Sequence, residues 1–223
     1  RRNIVQATPQ TNGSYTLVHF EDEVAFPSDM SDLDAERAKN ALLFFKQRVT
    51  APSRLAGNVL LVHDSLDQVK DPRQAWIYNA GQRRVRRAPQ VAYDGPGTAA
   101  DGMRTTDNFD MFSGAPDRYD WKLVGKKELY IPYNSYEINS SDVQYSDVLK
   151  AGHVNQDLAR YELHRVWEIE ANLKEGERNI YAKRRFFVDE DTWTIVQSEL
   201  YDGRGQLWRV GEAHMLQYYQ HKV

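Results

Sequence analysis

The amino-acid sequence predicts a mainly β (α+β) fold, in which a strongly curled antiparallel sheet forms an incomplete β-barrel with one covering helix. Three observations predict it. Long segments alternate apolar and polar residues with a period of two, which puts one face of a strand in a core and the other in water. Tight-turn sequences join consecutive segments of this kind, and only one convincing stretch carries a helical period. Aromatic residues make up 12% of the 223, with 13 Tyr and 5 Trp, and most fall inside the strand-like segments, where rings pack well on a pleated surface.

Taken in order, Gly13 to Phe20 follows a Thr-Asn-Gly turn signal and reads as a strand. Leu33 to Val49 reads as the helix: Ala38, Ala41, Leu42, Phe45 and Val49 recur at helical spacing, Ser31 is the expected N-cap and Pro52 stops the run. Strands resume with Asn58 to His63 and Gln74 to Tyr78, the latter turning at Asn79-Ala80-Gly81 into Gln82 to Arg87 as a hairpin. Pro89 to Asp120 carries Gly95-Pro96-Gly97, Gly102, Gly114 and Pro116 with no sustained period, so it reads as a long loop and a candidate lid or partner contact. Trp121 to Ile131 alternates, with Trp121, Leu123, Leu129 and Ile131 expected on one face. A short second helix is expected near Ser146 to Lys150.

The remaining chain reads as a four-stranded meander. Arg160 to Leu173 places Tyr161, Leu163, Trp167, Ile169, Ala171 and Leu173 on one side over about fourteen residues. Turns at Lys174-Glu175-Gly176-Glu177, Asp189-Glu190-Asp191 and Asp202-Gly203-Arg204-Gly205 then separate Ile180 to Val188, Trp193 to Tyr201 and Gln206 to Tyr219. Strands this long twist, and a sheet of them tends to curl toward a half-barrel whose concave side the helix would cover.

Composition narrows the function. With 29 Lys and Arg against 32 Asp and Glu, a net charge of −3 argues against a nucleic-acid-binding domain. No apolar run approaches the roughly 20 residues that span a bilayer, so a water-soluble domain that does not cross the membrane is expected. The absence of Cys rules out disulfides and thiolate metal sites. The start, Arg1-Arg2-Asn3-Ile4-Val5-Gln6, has neither Met nor an apolar leader and reads as a piece of a longer precursor whose signal peptide lies outside it.

Candidate chemistry is sparse. Arg83, Arg84, Arg86 and Arg87 flank Val85, and guanidinium forks suit an anionic headgroup or a partner contact, although local pairing with acids is the commoner role of such clusters. The six His are scattered without zinc-ligand spacing, and His164 and His214 read as structural. Asp189-Glu190-Asp191 reads as a hairpin turn, not a calcium loop. Nucleophile-elbow, phosphate-loop and dinucleotide motifs are absent, so neither catalysis nor a cofactor is expected.

The blocks RRVRRAPQVAYDGP (83–96), DRYDWKLVGKKELYIPYN (117–134), GHVNQDLARYELHRVWEIEA (152–171) and YDGRGQLWRV (201–210) resemble the bacterial family of unknown function numbered 1329, grouped with outer-membrane lipoprotein-sorting proteins. The resemblance implies a single LolA/LolB-like domain over residues 1–223, a periplasmic location, and a cavity that shelters a lipid or lipoprotein acyl chain. It also implies a possible partner in a resistance-nodulation-division (RND) type inner-membrane permease, and with it an alternative function as an interaction or sensor domain. The cavity wall expected from the strand faces is Trp121, Leu123, Leu129, Tyr161, Leu163, Trp167, Ile169, Phe186 and Val188. Each buried methylene of a cargo is worth about 0.8 kcal/mol, so such a wall must be apolar and dry.

Overall fold

A computed structural model of the chain describes residues 1–30 and 39–220. These fall into two compact units: residues 1–8, 15–109 and 113–117, and residues 9–14, 110–112 and 118–223. The first unit is built on a six-stranded sheet in sequence order, β1 (Arg2–Pro9), β2 (Tyr15–Ala25), β3 (Ala41–Ala51), β4 (Val59–Ser65), β5 (Gln74–Asn79) and β6 (Arg84–Arg87). Pairing from β2 through β6 is antiparallel. The second is built on five strands: β7 (Tyr119–Pro132), β10 (Tyr161–Leu173), β11 (Lys183–Asp189), β12 (Ile195–Tyr201) and β13 (Leu207–Glu212), in the order β13-β12-β11-β10-β7. Between β7 and β10 lie a one-turn helix, α1 (Tyr145–Val148), and the small hairpin β8 (Leu149–Lys150) and β9 (His153–Val154).

The antiparallel character and the C-terminal meander match the expectation, but the single curled sheet does not: apart from the small β8–β9 hairpin, the described strands form two open sheets, with β1 and β6 at the edges of one and β13 and β7 at the edges of the other. The covering helix is also corrected. Residues 33–38 lie outside the described residues, and Ala41 to Val49 belong to strand β3. Gln47 explains the error. It is buried beside Val49 and donates to the buried carboxylate of Asp22 at 3.1 Å, which in turn takes Arg2 Nε at 3.3 Å. A polar residue at an inward position breaks the period of two, and the remaining apolar residues then fit a helical period by coincidence.

The stretch read as a loop, 89–120, holds 3-10 turns at Pro89–Ala92 and Thr106–Asn108, and β7 starts at Tyr119. Within the first unit it packs on the sheet. Ala99 joins Val18, Phe20, Val49, Ile4 and Leu55 in one apolar cluster, and the Phe109 ring lies 5.8 Å from Phe45. The second unit has two clusters, one of Ile131, Tyr133, Val166, Phe187 and Val196, the other of Tyr119, Ala171 and Phe186.

Candidate functional site

Residues paired across antiparallel strands share a face, so the register of the six-stranded sheet spells out its surface row by row. One row runs Glu23, Lys46, Leu61, Trp76, Arg87, and the next runs Glu21, Arg48, Val59, Tyr78, Val85. A third holds Ala25, Phe44, His63 and Gln74. The opposite face holds Leu60, Val62 and Ala75, with Val49 and Phe20 in the core. On the first face, Val59, Leu61, His63, Trp76, Tyr78 and Val85 line an open trough of about 420 Å³. Its charged borders on β2 and β3 are mutually paired, Lys46 with Glu23 at 3.3 Å and Arg48 with Glu21 at 2.5 Å. Val85 at the far side is 62% exposed, which for an aliphatic strand residue marks a surface with room for a covering group.

His63 is the one titratable side chain lining the trough besides Tyr78. Its ring lies 4.7 Å from Phe44 and 5.0 Å from Trp76 edge-on, and burial there holds the imidazole below its ordinary value. An imidazole so shifted stays neutral at pH 7, and the trough keeps an uncharged floor.

Sequence reasoning missed these lining residues. The signal was present in Val59 to Val62, an uninterrupted apolar run, because a strand apolar on both faces needs a cover on both. The arginine cluster is placed at the edge strand of the same sheet, with Arg84 to Arg87 all exposed. The strand splits it: Arg87 pairs with Trp76 and shares the trough face, whereas Arg84 and Arg86 pair with Asn79 and Ile77 on the opposite one. Arg83 lies in the preceding turn at φ 52°.

The expected cavity wall lies on the five-stranded sheet of the second unit. Trp121, Leu123, Leu163, Trp167, Ile169, Phe186 and Val188 share one face. Leu129 does not. Ile169 faces Leu123 while Glu168 faces Gly125, so Val124 is an extra residue that reverses the alternation of β7, beside Gly125 at a φ of +150°. Leu129 thus pairs with His164 and packs on the Ile131 and Val166 cluster. Phe186 is 1% exposed and stacked on Trp121 at 5.9 Å, and Val188 is buried, while Leu123 and Leu163 are exposed. Tyr161 turns its hydroxyl to Glu212 at 3.0 Å, and burial followed by that bond raises its ionisation above the usual phenol range.

His164 and Asp189 are brought together, Nδ1 to Oδ1 at 2.9 Å, with Asp191 nearby. The other Asp189 oxygen takes Thr192 N at 3.0 Å and Thr192 Oγ1 at 2.8 Å, so this carboxylate closes the β11–β12 hairpin. These bonds give Asp189 a structural role in the turn, while His164, Asp189 and Asp191 bring ligand atoms within 4.8 Å of one another, close enough to hold a metal ion.

Open antiparallel sheets with few helices are a fold that this chain shares with solved structures of low sequence identity. A Vibrio parahaemolyticus domain provisionally assigned to outer-membrane lipoprotein sorting superposes with a TM-score of 0.56 at 14% identity, covering 97% of this chain and 70% of that one. A DUF1329 protein of Desulfovibrio piger gives 0.55 at 14% identity, over 92% and 65% of the two chains. The chain belongs to the family described as protein of unknown function (DUF1329), whose model matches residues 1–223. An uncharacterized Pseudomonas aeruginosa protein, PA3922, is 67% identical over the whole chain. The chain spans about half of that relative, 49% of its length. Among the described residues no helix is long and apolar enough to cross a membrane.

Proposed function

We propose that this chain, acting as one domain within a longer protein like its Pseudomonas relative, is a non-catalytic periplasmic binding module for a hydrophobic ligand, a lipid or a lipoprotein acyl chain. The observation that carries the reading is the trough on the six-stranded sheet, floored by aliphatic and aromatic side chains, with the charges of its β2–β3 border held in ion pairs. Binding by burial needs no bond to form or break: at about 0.8 kcal/mol per methylene, on the order of ten buried carbons supply ~8 kcal/mol against the cost of association. The fold shared with a lipoprotein-sorting domain supports the location and the class of ligand. The exporter partner implied by the resemblance is not part of this reading.

The wall expected from sequence is an alternative seat for the same ligand, because Leu123 and Leu163 remain 60% and 53% exposed. The trough is favoured, since Phe186 and Val188, the heart of that wall, are buried. Titration with an environment-sensitive acyl probe tests the assignment. Trp76→Ala removes the largest ring of the trough floor and is expected to weaken probe binding about 10- to 100-fold with unchanged far-UV circular dichroism. Equal affinity in the variant moves the site elsewhere, and no uptake by the parent protein removes the function.

A further inference from the structure

The rows that cross the six-stranded sheet are electrically lopsided. Moving from β2 toward β6, the first charges met are all held in ion pairs, Glu21 with Arg48 and Glu23 with both Lys46 and Arg1. Next come only Val59, Leu61, His63, Trp76, Tyr78 and Val85. At the far end stands Arg87, exposed, cross-strand from Trp76 and two residues from Val85, with no ion pair or hydrogen bond from its side chain among the described residues. An apolar bed thus ends at an unmatched guanidinium, the complement of a molecule with an oily tail and an anionic head.

The size of the bed suits one tail. Taking ~30 Å³ per methylene-sized group, the share of one water in the liquid, 420 Å³ holds on the order of 14 such groups, the length of one acyl chain. A second chain would have to enter the adjoining hollow of about 310 Å³, which shares Leu61 but is bordered by Arg1, Glu23 and Lys46. Laying hydrocarbon over those charges would strip them of water without returning a partner.

Resting on the carrier reading above, we propose that the ligand is a single-chain anionic amphiphile of the fatty-acid class, its tail along Leu61, Trp76, Tyr78 and Val85 and its carboxylate on the Arg87 guanidinium. A two-oxygen head suits the planar fork of Arg better than a hydroxyl does, and its position at the β6 edge leaves the head in contact with water.

The test compares palmitate, hexadecanol and vesicles of dipalmitoyl phosphatidylglycerol, each with the whole chain at pH about 8, where a carboxylate is ionised. Palmitate is expected to bind roughly tenfold tighter than hexadecanol, the worth of one charge-assisted pair at a wet site. Arg87→Glu, and more mildly Arg87→Gln, should erase that preference by weakening palmitate binding much more than hexadecanol binding. Arg84→Glu, on the opposite face, should leave both unchanged. Equal binding of palmitate and hexadecanol by the parent protein, a preference that survives both Arg87 variants, or extraction of the two-chain lipid as readily as palmitate overturns this inference while the carrier reading stands. Failure to bind any of the three overturns the carrier reading as well.

Discussion

Replacing Arg73 with Met is expected to cost the first unit about 3–5 kcal/mol, the usual penalty for stranding a buried charge. Arg73 grips Asp64 with both edges of its fork, Nη2 to Oδ2 at 2.6 Å and Nε to Oδ1 at 3.1 Å, and both side chains are almost closed to solvent, at 5% and 7%. Nη1 also donates to the Val91 carbonyl at 3.3 Å, tying the start of the 89–117 segment to the end of β4. Without the guanidinium the Asp64 carboxylate keeps, among the described residues, only the Ser65 amide at 3.1 Å. The double change Asp64→Leu with Arg73→Met should recover most of the loss, because an apolar pair of similar size avoids the desolvation that the ion pair has to offset. Urea unfolding of the parent and the two variants measures this. A single-variant loss below about 1 kcal/mol, the range of an exposed pair, would show that the pair is not sealed from water.

Phe186→Ala should destabilise the second unit by about 3–5 kcal/mol, as removal of a buried Phe commonly does. The ring sits in a cross-strand row between Ile169 and Ser198, stacked on Trp121 at 5.9 Å and 5.4 Å from Phe112. With 1% of its surface exposed, nothing can collapse into its place without moving both aromatic neighbours. The folded variant should bind an acyl probe as well as the parent does. Loss of probe binding together with little loss of stability would instead put Phe186 in a ligand-filled cavity, as the strand pattern first suggests. Thermal and urea unfolding followed by near-UV circular dichroism, beside a probe titration, separate the two outcomes.

Much of the fold was legible in the sequence wherever alternation was uninterrupted. The long strand from Tyr161 to Leu173 and the meander after it lie where period and turn signals put them, most cleanly at β12, where Val196, Ser198 and Leu200 form a regular inward row, although the last strand ends at Glu212 and not at Tyr219. Legibility failed at three kinds of place. Buried polar residues hid β3: Gln47 is satisfied by Asp22 from the neighbouring strand, a partner that no local pattern reveals. A bulge at Val124 moved Leu129 to the opposite face, since one extra residue reverses every side chain beyond it. In β4, Val59 and Leu61 alternate with Leu60 and Val62, apolar on apolar, so no period marks the trough face. The Arg cluster was visible as a motif, yet its one useful member, Arg87, could be singled out only once the β5–β6 register was known.

The central claim is that the outer face of the six-stranded sheet, not the five-stranded one, receives an acyl chain. Cross-linking with a palmitate that carries a photoactivatable group on its tail, followed by peptide mapping, tests it directly. Labels are expected on residues 59–63 and 74–85, displaced by unlabelled palmitate. Labels confined to residues 121–131 and 161–169, or spread evenly over the chain and not displaced, would contradict it.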